Sequence, residues 1–185
     1  MQRKNIQKLA LGGVLAALSV VLKLTLEMWI TIPGFGFPFY GIPLILAGLY
    51  LGPLYGLIVA VVADTTFGIV QGYLPLYALS SIAWGVIPSL FKRVIIKHKN
   101  PHINPKNLGY WVFVIMITYV VATLGNTLAN YVHLGIEVMK ATLYYRLALI
   151  PVLSPIIAFI VNVVYLRTVD HLSFLNKGEA LKKER

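Results

Sequence analysis

Apolar residues run along this chain in long blocks, broken by short stretches rich in glycine, proline or charge. A helix that crosses a bilayer needs about 20 mainly apolar residues. Blocks at residues 6–28, 54–70, 76–96, 108–132 and 141–167 predict helices of that kind. A shorter block at 42–51 stops at Gly52-Pro53 and predicts a further helix that is tilted or partly buried. Gly72-Tyr73-Leu74-Pro75 turns the chain between the third and fourth blocks, and a polar loop spans 97–107. Pro151 and Pro155 fall inside the sixth block and predict a kink there. In a membrane, neighbouring helices can re-satisfy the carbonyls that proline frees. With no internal repeat, the expectation is one all-α domain over 1–185, an integral membrane protein with six transmembrane helices.

Composition agrees with lipid as the solvent. The chain has 185 residues, 58% of them hydrophobic and only 12% charged. A soluble domain averages roughly 45–50% apolar and about 25% charged residues. There is no cysteine, which removes a disulfide framework, a thiolate nucleophile and a cysteine metal site from consideration. Sixteen basic against six acidic residues give a formal charge of +10. Spread over a soluble surface, that balance would suggest nucleic acid. Here most of the basic residues gather in three segments: Arg3, Lys4 and Lys8; Lys92, Arg93, Lys97, Lys99 and Lys106; and Arg167, Lys177, Lys182, Lys183 and Arg185. Four predicted helices separate the first two segments and two separate the last two, so all three fall on one side of the membrane. The positive-inside rule makes that side cytoplasmic, with both termini, and calls for no nucleic-acid partner. The first apolar block is too long, and lacks a small-x-small site, for a cleavable signal peptide.

The polar residues of the helices then collect toward the outer side. The connection between the first two helices is long and runs from Trp29 through Phe35 to Tyr40, rich in glycine, proline and aromatics. A second outer turn carries Gln71, Tyr73 and Tyr77, and a third carries Asn130, Tyr131, His133 and Glu137, leading to Lys140. Lys23 and Glu27 lie one turn apart late in the first helix. Asn126, Asn130 and His133 share a face of the fifth, and Tyr144, Tyr145 and Arg146 sit near the outer end of the sixth. Ionisable groups at membrane depth are costly and mark a polar cavity or a buried pair. The pattern predicts a cavity open outward and closed inward, a capture site with no channel behind it. Each residue also has a plainer reading. Lys23 and Glu27 could pair and snorkel, Asp64 could hold a structural partner, and Asn126 and Asn130 could join helices. Trp29, Tyr73, Tyr77 and Tyr131 could be interfacial aromatics, and His133 could be solvated. Arg146 is the hardest to dismiss, because a permanent cation in an apolar helix needs an acid or an anionic substrate.

Several chemistries are missing. There is no GxxxxGK[ST] loop for ATP and no HExxH-type ligand set for zinc, so no metal and no cofactor bound by this chain is expected. Ser80, Ser81 and Ser154 have no histidine at the same predicted depth. A membrane enzyme acting on a lipid would need a clustered acid motif that six scattered acids do not supply. A purely structural adaptor would leave Lys23, Asp64 and Arg146 without a task. A binding module that draws its energy from other subunits fits best.

Four motifs carry a family resemblance over nearly the whole chain. The first is Leu11-Gly12-Gly13-Val14-Leu15-Ala16-Ala17-Leu18-Ser19-Val20-Val21-Leu22, with small residues four apart at Gly13 and Ala17. The second and most specific is Ile42-Pro43-Leu44-Ile45-Leu46-Ala47-Gly48-Leu49-Tyr50-Leu51-Gly52-Pro53-Leu54-Tyr55-Gly56, followed by Ala63-Asp64. The third is Gly72-Tyr73-Leu74-Pro75-Leu76-Tyr77-Ala78-Leu79-Ser80-Ser81 with Trp84-Gly85, and the fourth is Tyr144-Tyr145-Arg146-Leu147 with Pro151. Together they resemble the substrate-binding S components of energy-coupling factor (ECF) vitamin transporters, closest to the folate branch. Two positions depart from the pattern: Gly13 stands where alanine is usual, and Leu76 follows Pro75 where the folate form has glycine.

The resemblance implies a multi-pass subunit of a bacterial plasma membrane that captures a water-soluble vitamin from outside. It implies a transmembrane coupling subunit, docked on Gly13 and Ala17, and two ATPase subunits that consume the ATP. It also implies substrate contacts from Lys23 and Arg146. The full expected substrate set is Lys23, Glu27, Trp29, Phe35, Tyr40, Tyr73, Tyr77, Asn126, Asn130, Tyr145 and Arg146. Hydroxymethylpyrimidine- or pyridoxine-type members are the alternative.

Overall fold

The computed structural model describes residues 2–28, 37–72, 75–92, 105–169 and 172, with side chains at 5–26, 37–70, 72, 76–92, 108–168 and 172. Among the described residues there are six α-helices and two short 3-10 turns. In chain order they are α1 (Gln2–Met28), a 3-10 turn (Pro38–Tyr40), α2 (Gly41–Leu51), α3 (Pro53–Gln71), a 3-10 turn (Pro75–Tyr77), α4 (Ala78–Leu90), α5 (Pro105–Leu134) and α6 (Ile136–Val169). Four of them are long and apolar enough to cross a membrane: Asn5–Leu26, Pro53–Val70, Leu108–Leu134 and Ile136–Thr168. The stretches Pro38–Leu51 and Ala78–Leu90 are shorter apolar helices.

The main correction concerns the third outer connection. It is not a segment running from His133 to Lys140. Only Gly135 separates α5 from α6, in the left-handed region at φ 86°. A residue with a β-carbon is strained there, so glycine permits a one-residue reversal. The Met139 amide then donates to the Gly135 carbonyl at 3.2 Å. Asn130, Tyr131 and His133 therefore belong to α5, and Glu137 and Lys140 to α6. Helix α5 also starts earlier than expected, at Pro105, a residue suited to the first helical position because its missing N–H has no intrahelical partner there. Helix α6 stays continuous through Pro151 and Pro155, both on its exposed side.

Helix α2 sits at the centre. Eleven residues at 1.5 Å each reach only about 17 Å, short of a hydrocarbon core of about 30 Å. Its surface is apolar on every side and almost all of it is buried, as expected of a helix enclosed by others. It packs against α1, α3, α4 and α6. Three glycines let the backbones meet. A β-carbon on Gly48 (α2) or on Gly56 (α3) would collide with the Gly85 carbonyl oxygen of α4. Small residues at such crossings allow close helix approach in a membrane. The most specific motif of the sequence is thus, at Gly48 and Gly56, an architectural feature.

The helices alternate in direction and give the bundle two ends. One end gathers the C-termini of α1, α3 and α5 with the N-termini of α2, α4 and α6. At the opposite end the Lys8 ammonium lies over the Tyr55 ring at 5.9 Å. Tyr50 there hydrogen-bonds Thr168 and stacks on Tyr165 with ring centres 5.4 Å apart, while Trp111 approaches Tyr165 at 6.1 Å. The outer surface of α1, α3, α5 and α6 carries Val14, Leu54, Ile69, Leu124 and Phe159, all exposed. Water would make such a surface aggregate; lipid matches it.

Candidate functional site

The polar residues of the first end form a chain of contacts that crosses the bundle. On α1, Ser19 and Lys23 lie one turn apart and face inward. The Lys23 ammonium is 2.8 Å from Asp64 Oδ1 of α3, and the two side chains are only 11% and 8% exposed. Ser81 of α4 donates to the same carboxylate oxygen at 2.8 Å. Two rings flank the ammonium, Phe67 at 4.1 Å and Tyr40 at 5.1 Å, and both attract a cation through their negative faces. Lys23 thus has a buried acidic partner in Asp64; the Glu27 side chain lies outside the described residues.

Tyr40 is held at both ends. Ser19 donates to its carbonyl at 2.9 Å, and its hydroxyl meets Ser80 Oγ at 3.3 Å. Ser80 in turn donates to the Tyr77 carbonyl at 3.0 Å, which leaves the Tyr40 hydroxyl as donor in the first of these bonds. The Tyr77 hydroxyl donates to Asn130 Oδ1 at 2.8 Å. Asn130 Nδ2 donates to Thr142 Oγ1 at 2.9 Å, and the Thr142 hydroxyl donates to the Val138 carbonyl at 2.8 Å. Asn130 is fully buried, so both halves of its amide need such partners.

Arg146 follows Thr142 by one turn of α6 and is 7% exposed. Tyr119 lies 5.5 Å, centre to centre, from Trp84 of α4. Gly41, the first residue of α2, lies flat against Trp84: a β-carbon there would come within 2.7 Å of the indole. His133 is half-buried, its ring 6.0 Å from that of Tyr77.

Of the expected substrate residues, Lys23, Tyr40, Tyr77, Asn130 and Arg146 thus gather at one end of the bundle. Asn126 is half-buried one turn before Asn130. Tyr145 differs: it is 59% exposed and turned away from the buried side of α6 that carries Arg146. Trp29, Phe35 and Tyr73 lie outside the described residues. Gly13 and Ala17 are on the bare side of α1, and a β-carbon at Gly13 would touch nothing within 4 Å. Neighbouring Gly12 is buried, its β-carbon position 3.3 Å from Val59.

Ser80, Ser81, Trp84, Tyr119 and Thr142 were not singled out as site residues from sequence. Two signals were available. Adjacent serines in an apolar helix mark a polar face, and Thr142 precedes Arg146 by one helical turn. Tyr119 and Trp84 carry no such mark, because an aromatic in a membrane helix reads equally as packing. Chemically, the arrangement offers hydrogen-bond donors and acceptors, flat aromatic faces and one buried guanidinium. Among the described residues, no group of three or more His, Asp or Glu side chains is placed to hold a metal ion.

Residues 7–168 match the family model described as ECF transporter, substrate-specific component. The chain belongs to that family. An ECF substrate-specific component is a multi-pass membrane protein that binds the transported substrate and works with transmembrane and ATPase subunits; it is a transport subunit, not an enzyme. The match covers all six helices, from the first turns of α1 almost to the end of α6. The comparisons with curated proteins and with solved structures return no match.

Proposed function

We propose that this ECF component captures a water-soluble vitamin of folate type on the outer face of a bacterial plasma membrane. It then hands the vitamin inward with a coupling subunit and two ATPases. In this reading the chain crosses the membrane six times; α2 and α4, too short to span it alone, cross inside the ring of longer helices together with the 3-10 turns that lead into them. Both termini and the 97–107 segment are cytoplasmic, as the three basic segments require. The observation that carries the substrate class is Arg146. A guanidinium buried one turn from the Thr142–Asn130–Tyr77 chain suits a carboxylate attached to a flat heterocycle. Tyr40, Tyr77 and Trp84 supply aromatic surface at the same end. The partner-docking surface is the bare stripe of α1 at Gly13 and Ala17.

A second reading, a neutral hydroxymethylpyrimidine or pyridoxine form, is favoured by the Lys23–Asp64 pair. That pair occupies the helix-one cation that a folate carboxylate would use. Purification from vitamin-supplemented cells, mass spectrometry of any co-purifying small molecule, and calorimetric titration with folic acid, hydroxymethylpyrimidine and pyridoxine separate the two. Binding of none of these, with no vitamin co-purified, would remove the vitamin-capture reading. Reporter fusions after Arg185 and within 99–106 test the orientation, and either one on the outer face would overturn it.

A further inference from the structure

Lys23 is the basic residue that the family resemblance assigns to the vitamin, yet its surroundings form a closed ring of contacts. The ammonium binds Asp64 Oδ1 at 2.8 Å. Asp64 Oδ1 accepts from Ser81 at 2.8 Å. Ser80, the residue before Ser81, meets the Tyr40 hydroxyl at 3.3 Å. The Tyr40 ring returns to the Lys23 ammonium at 5.1 Å, and Ser19, one turn earlier on α1, fixes the Tyr40 carbonyl at 2.9 Å. Four elements meet in this ring: α1, α3, α4 and the 3-10 turn before α2.

We infer that Lys23 and Asp64 are a positioning pair for Tyr40 and do not themselves contact the vitamin. The ammonium faces one side of the Tyr40 ring. The carboxylate, through Ser81, sets the stretch of α4 whose Ser80 accepts the Tyr40 hydroxyl. An incoming vitamin carboxylate would have to compete with Asp64 for Lys23, against the repulsion of a like charge in a low dielectric. Removing one member of a buried pair strands the other charge, whereas removing both leaves no charge to strand. The pair also ties α1 to the site wall, so the orientation of the Tyr40 ring depends on a helix whose other side is bare. This inference deepens the capture reading and rests on it only for the binding measurements described next.

The experiment uses the full chain in nanodiscs with three variants: Lys23→Met, Asp64→Asn and the double variant. Three properties are measured: the unfolding temperature without ligand, the fluorine NMR resonance of Tyr40 in protein carrying 3-fluorotyrosine (assigned with Tyr40→Phe), and calorimetric binding of folic acid and of hydroxymethylpyrimidine. Each single variant should lower the unfolding temperature by roughly 5 °C or more, and the double variant should recover at least half of that loss. The Tyr40 resonance should move in both single variants and stay in place in Lys8→Met, whose ammonium lies at the opposite end over Tyr55. Whichever probe binds should weaken about tenfold or more in the single variants and regain affinity in the double. Additive losses in the double variant, or an unmoved Tyr40 resonance, would overturn the inference. So would a Lys23→Met variant that loses folic acid alone while Asp64→Asn binds normally, because Lys23 would then be contacting the vitamin. If neither probe binds the unaltered protein, the proposed substrate class fails, while the stability cycle and the resonance still decide the pair.

Discussion

Asn130 and Thr142 are hydrogen-bonded at 2.9 Å across the one-residue turn that joins α5 to α6. The same asparagine accepts from Tyr77 at 2.8 Å, so a single buried amide ties α4's lead-in turn to both helices of the hairpin.

That arrangement makes Asn130 hard to replace. Asn130→Ala leaves the Tyr77 hydroxyl without its acceptor and Thr142 without a donor, in a region closed to water. A stranded buried polar group costs about 1–3 kcal/mol. Asn130→Ala should therefore unfold at a lower temperature in nanodiscs and bind substrate more weakly, while Asn126→Ala, half-buried one turn away, should change the unfolding temperature much less. Equal stability of the two variants would count against the network.

Arg146 is expected to contact the anionic part of the substrate. Losing a charge-assisted hydrogen bond costs about 1.5–3 kcal/mol, or roughly ten- to a hundred-fold in dissociation constant. Titration calorimetry on Arg146→Ala should show at least that loss with folic acid, and a smaller one with a neutral pterin. Arg146→Lys should recover only part, because an ammonium cannot reproduce the planar fork. Normal binding of both ligands by Arg146→Ala would make the residue a structural member and move the preference to a neutral vitamin.

The adjacent glycines of α1 should separate docking from folding. Gly13→Trp and Ala17→Trp add bulk on the bare side, and should abolish transport and assembly with the coupling subunit while leaving substrate binding by the isolated chain nearly intact. Gly12→Trp points the same bulk at Val59 and Leu51, where a β-carbon already comes within 3.3 Å and 3.7 Å. It should reduce folded yield instead. Uptake that survives in both Gly13→Trp and Ala17→Trp would rule out this docking surface.

Gly85 is the position where the smallest added group should do the most harm. Its β-carbon would meet the Gly56 backbone, and no side-chain movement can clear backbone atoms. Gly85→Ala gains some helix propensity, up to about 1 kcal/mol, but overpacking costs typically about 1–3 kcal/mol and sometimes more. The net effect should be a lower unfolding temperature. Gly109→Ala serves as control, because nothing lies within 4 Å of its β-carbon position, and it should be neutral or mildly stabilising.

The helices and the breaks between them are legible in the residues alone. In lipid every backbone group must be satisfied within its own segment, so an apolar run of countable length is nearly sufficient evidence for a helix. Gly52-Pro53 ends α2 where the residues say it should. Reading side chains one turn apart was less successful. Lys23 has its buried partner in Asp64, 41 residues away, which helical spacing does not show. Tyr145 and Arg146 are adjacent in sequence, yet one is exposed and the other buried. Gly135 looked like part of a longer connection and turned out to be all of it. In each case the deciding quantity was the rotation and depth at which one helix meets another, and that is set by contacts such as Gly48 and Gly56 against Gly85. Those contacts join residues far apart in the chain. Helical periodicity says which residues share a face, and only the packed bundle says what that face meets.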